Sequence, residues 1–113
     1  MSIIACRLPT GAFVKNRGDA YYSVMAENKE LRRLRDRIDD ADRELLDALG
    51  RRMKLAKEAG EYKKANNIPL LDPKRESEIM STRAGWGSNR GLSTSFVREL
   101  FERIVKHARE LQK

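Results

Sequence analysis

The sequence holds one cysteine, Cys6, and one histidine, His107, in 113 residues. A single cysteine can close no internal disulfide, and neither a Cys/His zinc cluster nor a Cys–His nucleophile pair has enough members. Metal sites, covalent catalysis and bound cofactors are therefore not expected. Aromatic residues are scarce as well, at 6% of the chain. No apolar run approaches the roughly 20 residues that a membrane span needs. The Ile3-Ile4-Ala5-Cys6 patch is too short for the core of a signal peptide. The chain is expected in the cytoplasm, with no membrane partner.

What the sequence does have is charge: 36% of residues are Asp, Glu, Lys or Arg, with a formal net charge of +7. Many charges with few aromatics favour long amphipathic helices over a β-sandwich, so the expected fold class is all-α. At this length the chain is one domain, and such a domain buries only a modest share of its surface unless it associates with another copy. The positive balance suits nucleic acid, an anionic surface or a small anionic substrate, because net charge governs attraction and not fold. Where the charges fall has to decide among these.

Residues 1–29 contain Pro9, Gly11 and Gly18 among short apolar patches with no helical period. They read as a leader with no assigned function. It is either a loose terminus or an extension upstream of a second start at Met25-Ala26-Glu27-Asn28. From Leu31 a stripe begins and advances by steps of three or four: Leu34, Ile38, Ala41, Leu45, Leu49, Arg52, Ala56, Ala59, Lys63. This predicts one helix from about residue 29 to 64, spanning about 50 Å at the α-helical rise. That is longer than a domain of this size is wide, so a partner must cover part of the stripe. Asn66-Asn67-Ile68-Pro69 breaks the helix, and Asp72-Pro73 then supplies an N-cap and a first-turn proline for a short second helix reaching about Ala84. Gly85-Trp86-Gly87-Ser88-Asn89-Arg90-Gly91 reads as a loop. Ser93 or Ser95 then caps a third helix with Val97, Leu100, Phe101, Ile104, Val105, Ala108 and Leu111 on its buried side.

Arg52 and Lys63 stand in the apolar stripe where leucine or alanine would be ordinary, while the neighbouring Arg51 falls on the solvated face. Unpaired buried charge is costly. Either both side chains snorkel to the surface, or they serve a ligand. Gln112, one turn beyond Ala108, poses the same choice between a solvated helix end and an amide carried inward. Asp72 and Glu76 open the second helix on a shared face, with Arg75 beside them. They form either a cap with a surface ion pair, worth little, or the polar wall of a pocket. Converging, these cations, carboxylates and amide would suit a small dianion that carries a hydroxyl group.

From Leu31 to Gln112 the chain resembles the all-helical, type II chorismate mutases. The resemblance runs through Leu34-Arg35-Asp36-Arg37-Ile38-Asp39 and Leu45-Leu46-Asp47-Ala48-Leu49-Gly50-Arg51-Arg52. It continues in Leu55-Ala56, Lys63, Pro69, Asp72, Arg75-Glu76, Leu92, Phe101 and Gln112. It implies a catalytic domain over residues 30–113 and an intertwined homodimer of long helices with two active sites, Arg35 crossing from the neighbouring copy. Arg52 and the crossing Arg35 would hold the two carboxylates of chorismate. Lys63 and Gln112 would donate to the ether oxygen whose bond breaks. Glu76, helped by the backbone near Asp72, would accept from the ring hydroxyl, and Arg75 and Ala108 would line the pocket. The implied reaction is the pericyclic rearrangement of chorismate to prephenate, in phenylalanine and tyrosine biosynthesis. It needs no nucleophile, proton relay, metal or cofactor.

Ala108 departs from the pattern, because many members place a serine there, near the ring carboxylate. The same fold also serves isochorismate pyruvate lyases and mutases of 4-amino-4-deoxychorismate, and these stand as alternatives. Ala48-Leu49-Gly50-Arg51-Arg52-Met53 and the segment around Trp86 are similar to the lyases, while Asp72 and Glu76 match the mutases. A basic helical nucleic-acid binder would need a contiguous Lys/Arg face. Instead Asp36, Asp39, Asp40, Glu44 and Asp47 interleave with the bases of the first helix. A purely structural dimer module would explain the stripe but not Arg52, Lys63 and Glu76 together. The expected partners are therefore chorismate and a second copy of the chain, with no nucleic acid.

Overall fold

The computed structural model describes residues 28–113. Among these, all regular structure is helical: α1 (Lys29–Ala65), α2 (Pro73–Ser88) and α3 (Thr94–Gln112), the all-α class expected from composition. The leader expected over residues 1–29 lies outside the described residues except for Asn28 and Lys29. The Asn28 carbonyl accepts from the Arg32 N–H at 2.9 Å as α1 begins.

α1 runs for 37 residues, with Glu30 in its first turn and Lys63 and Lys64 in its last, each sign placed to oppose the helix dipole. Its end is set by a left-handed residue, Asn67 at φ 57°, a conformation that asparagine tolerates better than most side chains. The N–H groups of Asn67 and Ile68 turn back to the carbonyls of Lys64 and Lys63, at 3.4 and 2.8 Å. This pair of bonds satisfies carbonyls that the helix end would leave open, and Pro69 prevents continuation. α2 then starts as the sequence indicates: the Asp72 carboxylate accepts from the Arg75 N–H, and proline occupies the first turn.

By its contacts the chain divides after Leu45. In the first unit the described part of α1 leaves Leu31, Leu34, Ile38 and Leu45 between 39% and 60% exposed, so its apolar stripe is uncovered in the single chain. In the second unit, Leu46–Lys113, α2 and α3 pack together around Ile79, Ala84, Val97, Val105 and Ala108. The buried side expected of α3 is thus only partly buried. Val97, Val105 and Ala108 are enclosed, Phe101 and Ile104 are half-buried, and Leu100 and Leu111 remain exposed.

The second helix is longer than its sequence suggests. It continues past Ala84 through Gly85, Trp86 and Gly87 to Ser88, so most of the expected glycine loop is helical. Packing explains the difference: Gly87 is buried, and its missing side chain leaves room for Val97 of α3. The turn after the helix is completed at Gly91, which at φ 78° takes the left-handed position. There the N–H groups of Gly91 and Leu92 close back onto the carbonyls of Ser88 and Gly87, the arrangement already used at the end of α1. Of the two candidate caps for α3, Ser93 takes the role, its hydroxyl accepting from the Phe96 N–H at 3.2 Å.

The two glycines of α2 should therefore respond oppositely to alanine. A Cβ on Gly85 meets nothing within 4 Å, so Gly85→Ala should gain about 0.5–1 kcal/mol from the better helix former. A Cβ on Gly87 would lie 2.5 Å from Val97 Cγ2, and Gly87→Ala should lose about 1–3 kcal/mol through overpacking. Urea unfolding of both variants checks the pair; equal effects would mean that α2 and α3 are not in this close contact.

Candidate active site

The middle of α1, the start of α2 and the last turns of α3 enclose a cavity of about 500 Å³ within the second unit. Leu55, Ala56, Ala59, Ile79, Val105 and Ala108 form its apolar wall. Into it come five cationic side chains, Arg52, Lys63, Arg75, Arg83 and Arg109, with the carboxylates of Asp72 and Glu76 and the amide of Gln112. Seven residues singled out in the sequence, Arg52, Lys63, Asp72, Arg75, Glu76, Ala108 and Gln112, thus line one space. Arg35 does not; it is an exposed residue of α1 in the unit that ends at Leu45.

The helical period accounts for the convergence. Arg52, Ala56, Ala59 and Lys63 repeat along one face of α1, as Val105, Ala108 and Gln112 do along α3. Gly60 is buried where these helices meet. A Cβ there would stand 2.7 Å from Cγ and 2.9 Å from Cβ of Gln112, so the glycine lets the end of α3 lie against α1. The Gln112 amide accordingly does not fray into solvent but donates to the Ala56 carbonyl at 2.8 Å. Lys64 Nζ secures the same end by donating to the Lys113 carbonyl at 2.9 Å. Lys63 is half-buried and donates to the Leu70 carbonyl at 3.1 Å, across the turn that follows α1.

The acidic side chains are arranged differently from the local pairing that their spacing suggests. Asp72 spends its carboxylate on the cap, accepting from the Arg75 N–H at 3.0 Å. Arg75 pairs with Glu78 at 2.9 Å, one turn along the exposed side of α2, and not with Asp72 or Glu76. Glu76 is held from α3: Arg109 Nη1 donates to both of its carboxylate oxygens, at 3.0 and 3.1 Å.

Arg109 and Arg83 are cavity residues that the sequence reading missed. Arg109 follows buried Ala108 and lies three positions before Gln112, a spacing that brings it to the same side of α3. Arg83 is four positions beyond Ile79 and seven beyond Glu76 on α2. Placing the helix end at Ala84 hid it, since a charge in a final turn is ordinarily solvated. Its guanidinium instead stacks 4.5 Å from the centre of the Trp86 ring, while that of Arg52 lies 5.9 Å from the centre of Phe101.

The site carries unbalanced positive charge. Burial pushes the Arg52 guanidinium below its ordinary pKa, and the charges of Arg83 and Arg75 push it further. Arg83 is lowered in the same way by burial and then by Arg75, with Glu78 opposing. An arginine remains protonated at any accessible pH. The shift is therefore a cost carried by the folded protein in its charged form, and an anion entering the cavity would relieve it. Among the described residues no three of His, Cys, Asp and Glu come together as metal ligands would. Nor is any described helix long and apolar enough to cross a membrane.

Residues 34–113 match the family model described as chorismate mutase type II. The chain belongs to this family. It is 32% identical over 79 residues to a 4-amino-4-deoxychorismate mutase of Streptomyces pristinaespiralis, covering 70% of this chain and 61% of that protein. It is 36% identical over 72 residues to the isochorismate pyruvate lyase of Pseudomonas aeruginosa, covering 64% of this chain and 70% of the other. Among solved structures, the form II chorismate mutase of Thermus thermophilus superposes with a TM-score of 0.69 at 28% identity, covering 74% of this chain and 94% of that one. The chain spans under two thirds of the Streptomyces protein, 61%, and 21% of a longer relative. Family members thus include mutases and a lyase, and the cavity's own chemistry has to choose among their reactions.

Because Arg52 is held at a cost, Arg52→Met should raise the melting temperature of the ligand-free protein by on the order of a few degrees. Methionine keeps the contact with Phe101 and removes the charge. A melting temperature that falls, by calorimetry, would show that the cluster is not under electrostatic strain.

Proposed function

We propose that the chain is a chorismate mutase that rearranges chorismate to prephenate, for phenylalanine and tyrosine biosynthesis, as a cytoplasmic homodimer. The observation that carries this reading is the composition of the cavity. Five cationic side chains, the Gln112 amide and two carboxylates are set against an apolar wall, a combination suited to a hydroxylated dianion with an unsaturated ring.

The reaction breaks one carbon–oxygen bond and forms one carbon–carbon bond within a single molecule, so no group has to be transferred to the protein. What limits it is the folding of the enolpyruvyl arm over the ring. Arg52, with Arg35 of a second copy, would clamp the two carboxylates and hold that folded shape. Leu55, Ala59, Ile79 and Val105 would press on the ring and keep water out. In the transition state negative charge gathers on the ether oxygen. Lys63 and Gln112 each give one N–H to the Leu70 and Ala56 carbonyls and keep at least one more, which would donate to the oxygen and favour the transition state over the ground state. Glu76 would accept from the ring hydroxyl, with Asp72 ordering the backbone beside it as the cap of α2. The Ala108 side chain offers no hydrogen bond to the ring carboxylate, which would be held by the arginines and by a water or a backbone N–H.

The dimer supplies what the single chain lacks. The exposed stripe of Leu31, Leu34, Ile38 and Leu45 would pair with its copy. That pairing is what would carry Arg35 to the neighbouring site.

The direct test is disappearance of chorismate with formation of prephenate. Release of pyruvate from isochorismate, in its place, would establish the lyase reaction instead. Within that assay Gln112→Ala should lower kcat by about a hundredfold or more, as removal of an oxyanion-hole donor does, with a smaller effect on KM. Lys113→Ala, one residue on, should change little; equal activity in the two variants would remove Gln112 from the mechanism. Arg35→Ala and Arg52→Ala should each be nearly inactive alone. Unfolded and refolded together they should regain activity, because one site of each mixed dimer receives both arginines. Mixed dimers without activity would mean that the site is not shared.

A further inference from the structure

The pairing of Arg109 with Glu76 bears on which substrate the site accepts, and so rests on the mutase reading. Ion pairs such as Arg43–Asp40 and Arg75–Glu78 join residues three apart on one exposed helical turn. Arg109 and Glu76 lie 33 positions apart, bridge α3 to α2, and both face the cavity. Their side chains are 39% and 27% exposed, so solvent screens them less than a surface pair. A single nitrogen, Nη1, makes both bonds to the carboxylate. Arg109 therefore keeps Nε and Nη2 beyond the pair, and each Glu76 oxygen keeps a free lone pair.

We infer that Arg109 is a specificity-determining residue: paired with Glu76, it makes this end of the cavity fit a hydroxyl on the substrate ring and disfavour an amine at the same carbon. A hydroxyl carries one donor and can also accept. It can donate to a Glu76 oxygen while accepting from an Arg109 N–H, and no charge is displaced. An aliphatic amine is an ammonium at neutral pH, with three donors, no acceptor and a positive charge. A bare carboxylate would bind it well. Here the carboxylate is already matched by a guanidinium, and the ammonium would meet Arg109 directly, in a cavity already rich in cations. Its third donor would also face donors. The pair thus separates chorismate from 4-amino-4-deoxychorismate, two of the substrates that the family resemblance leaves open.

The experiment measures kcat/KM for both compounds with the full-length protein, with the neutral variants Arg109→Met and Arg109→Gln, and with Arg109→Lys. The wild type should prefer chorismate by about tenfold or more, as expected of a polar site matched to a hydroxyl. In both neutral variants that ratio should fall by about tenfold or more, with turnover of the amino compound rising in absolute terms, since a charged hydrogen-bond partner and a repulsion are removed together. Arg109→Lys should retain most of the preference. A variant that merely loosened the fold would slow both substrates alike and leave the ratio unchanged. An unchanged ratio in either folded neutral variant, or a wild type that prefers the amino compound, would overturn the role of Arg109 while leaving mutase chemistry in place. A wild type that converts neither compound would overturn the functional reading and this inference with it.

Discussion

Positive charge held close to apolar surface is the constraint on which the second unit depends. Five cationic side chains line one cavity, and each has an interaction within the protein that keeps it in place. Lys63 uses the Leu70 carbonyl, Arg109 uses Glu76, Arg75 uses Glu78, and Arg52 and Arg83 lie over aromatic rings. These interactions orient the side chains from within the protein, which limits the ordering that binding would require. Burial first, and then the charges of Arg83 and Arg75, hold the Arg52 guanidinium below its ordinary pKa. Such strain at a binding site is the usual exchange between stability and function.

The helices are built to hold that cluster with little core. Ile79, Ala84, Val97, Val105 and Ala108 are the enclosed apolar side chains among the described residues. So small a core makes close contacts at glycine disproportionately important. Gly87 admits Val97 between α2 and α3, and Gly60 admits Gln112 against α1. The second contact has a functional consequence under the mutase reading. It holds the Gln112 amide, in the last turn of α3, on the Ala56 carbonyl at the cavity that Lys63 also lines. The apolar stripe on the first half of α1 is exposed, and that exposure is what supports the proposed second copy.

Much of this was readable from residue order, for reasons that act within four or five positions. Asp72 caps α2 and Ser93 caps α3 because short polar side chains satisfy the first N–H groups of a helix. Arg52 and Lys63 could be recognised as unusual because the period of α1 carries them to the apolar side. The extent of α2 was misread because glycines were weighed by local propensity alone. Burial of Gly87 against Val97 outweighed that preference, and with the longer helix Arg83 became a cavity residue instead of a terminal one.

By itself, then, the sequence determined where α1 and α2 begin, the start of α3 to within two residues, which charges interrupt an apolar face, and the family to which residues 34–113 belong. It did so because caps, helical period and turn residues are properties of neighbours along the chain. Only the tertiary structure decided that Glu76 is partnered by Arg109 and not by Arg75, that Gln112 is held by Ala56 and admitted by Gly60, and that Arg83 joins Arg52 at the cavity. Those facts depend on which faces of α1, α2 and α3 meet. Hydrogen bonds and Coulomb interactions between helices act over a few ångströms, across separations of tens of residues that no local rule relates.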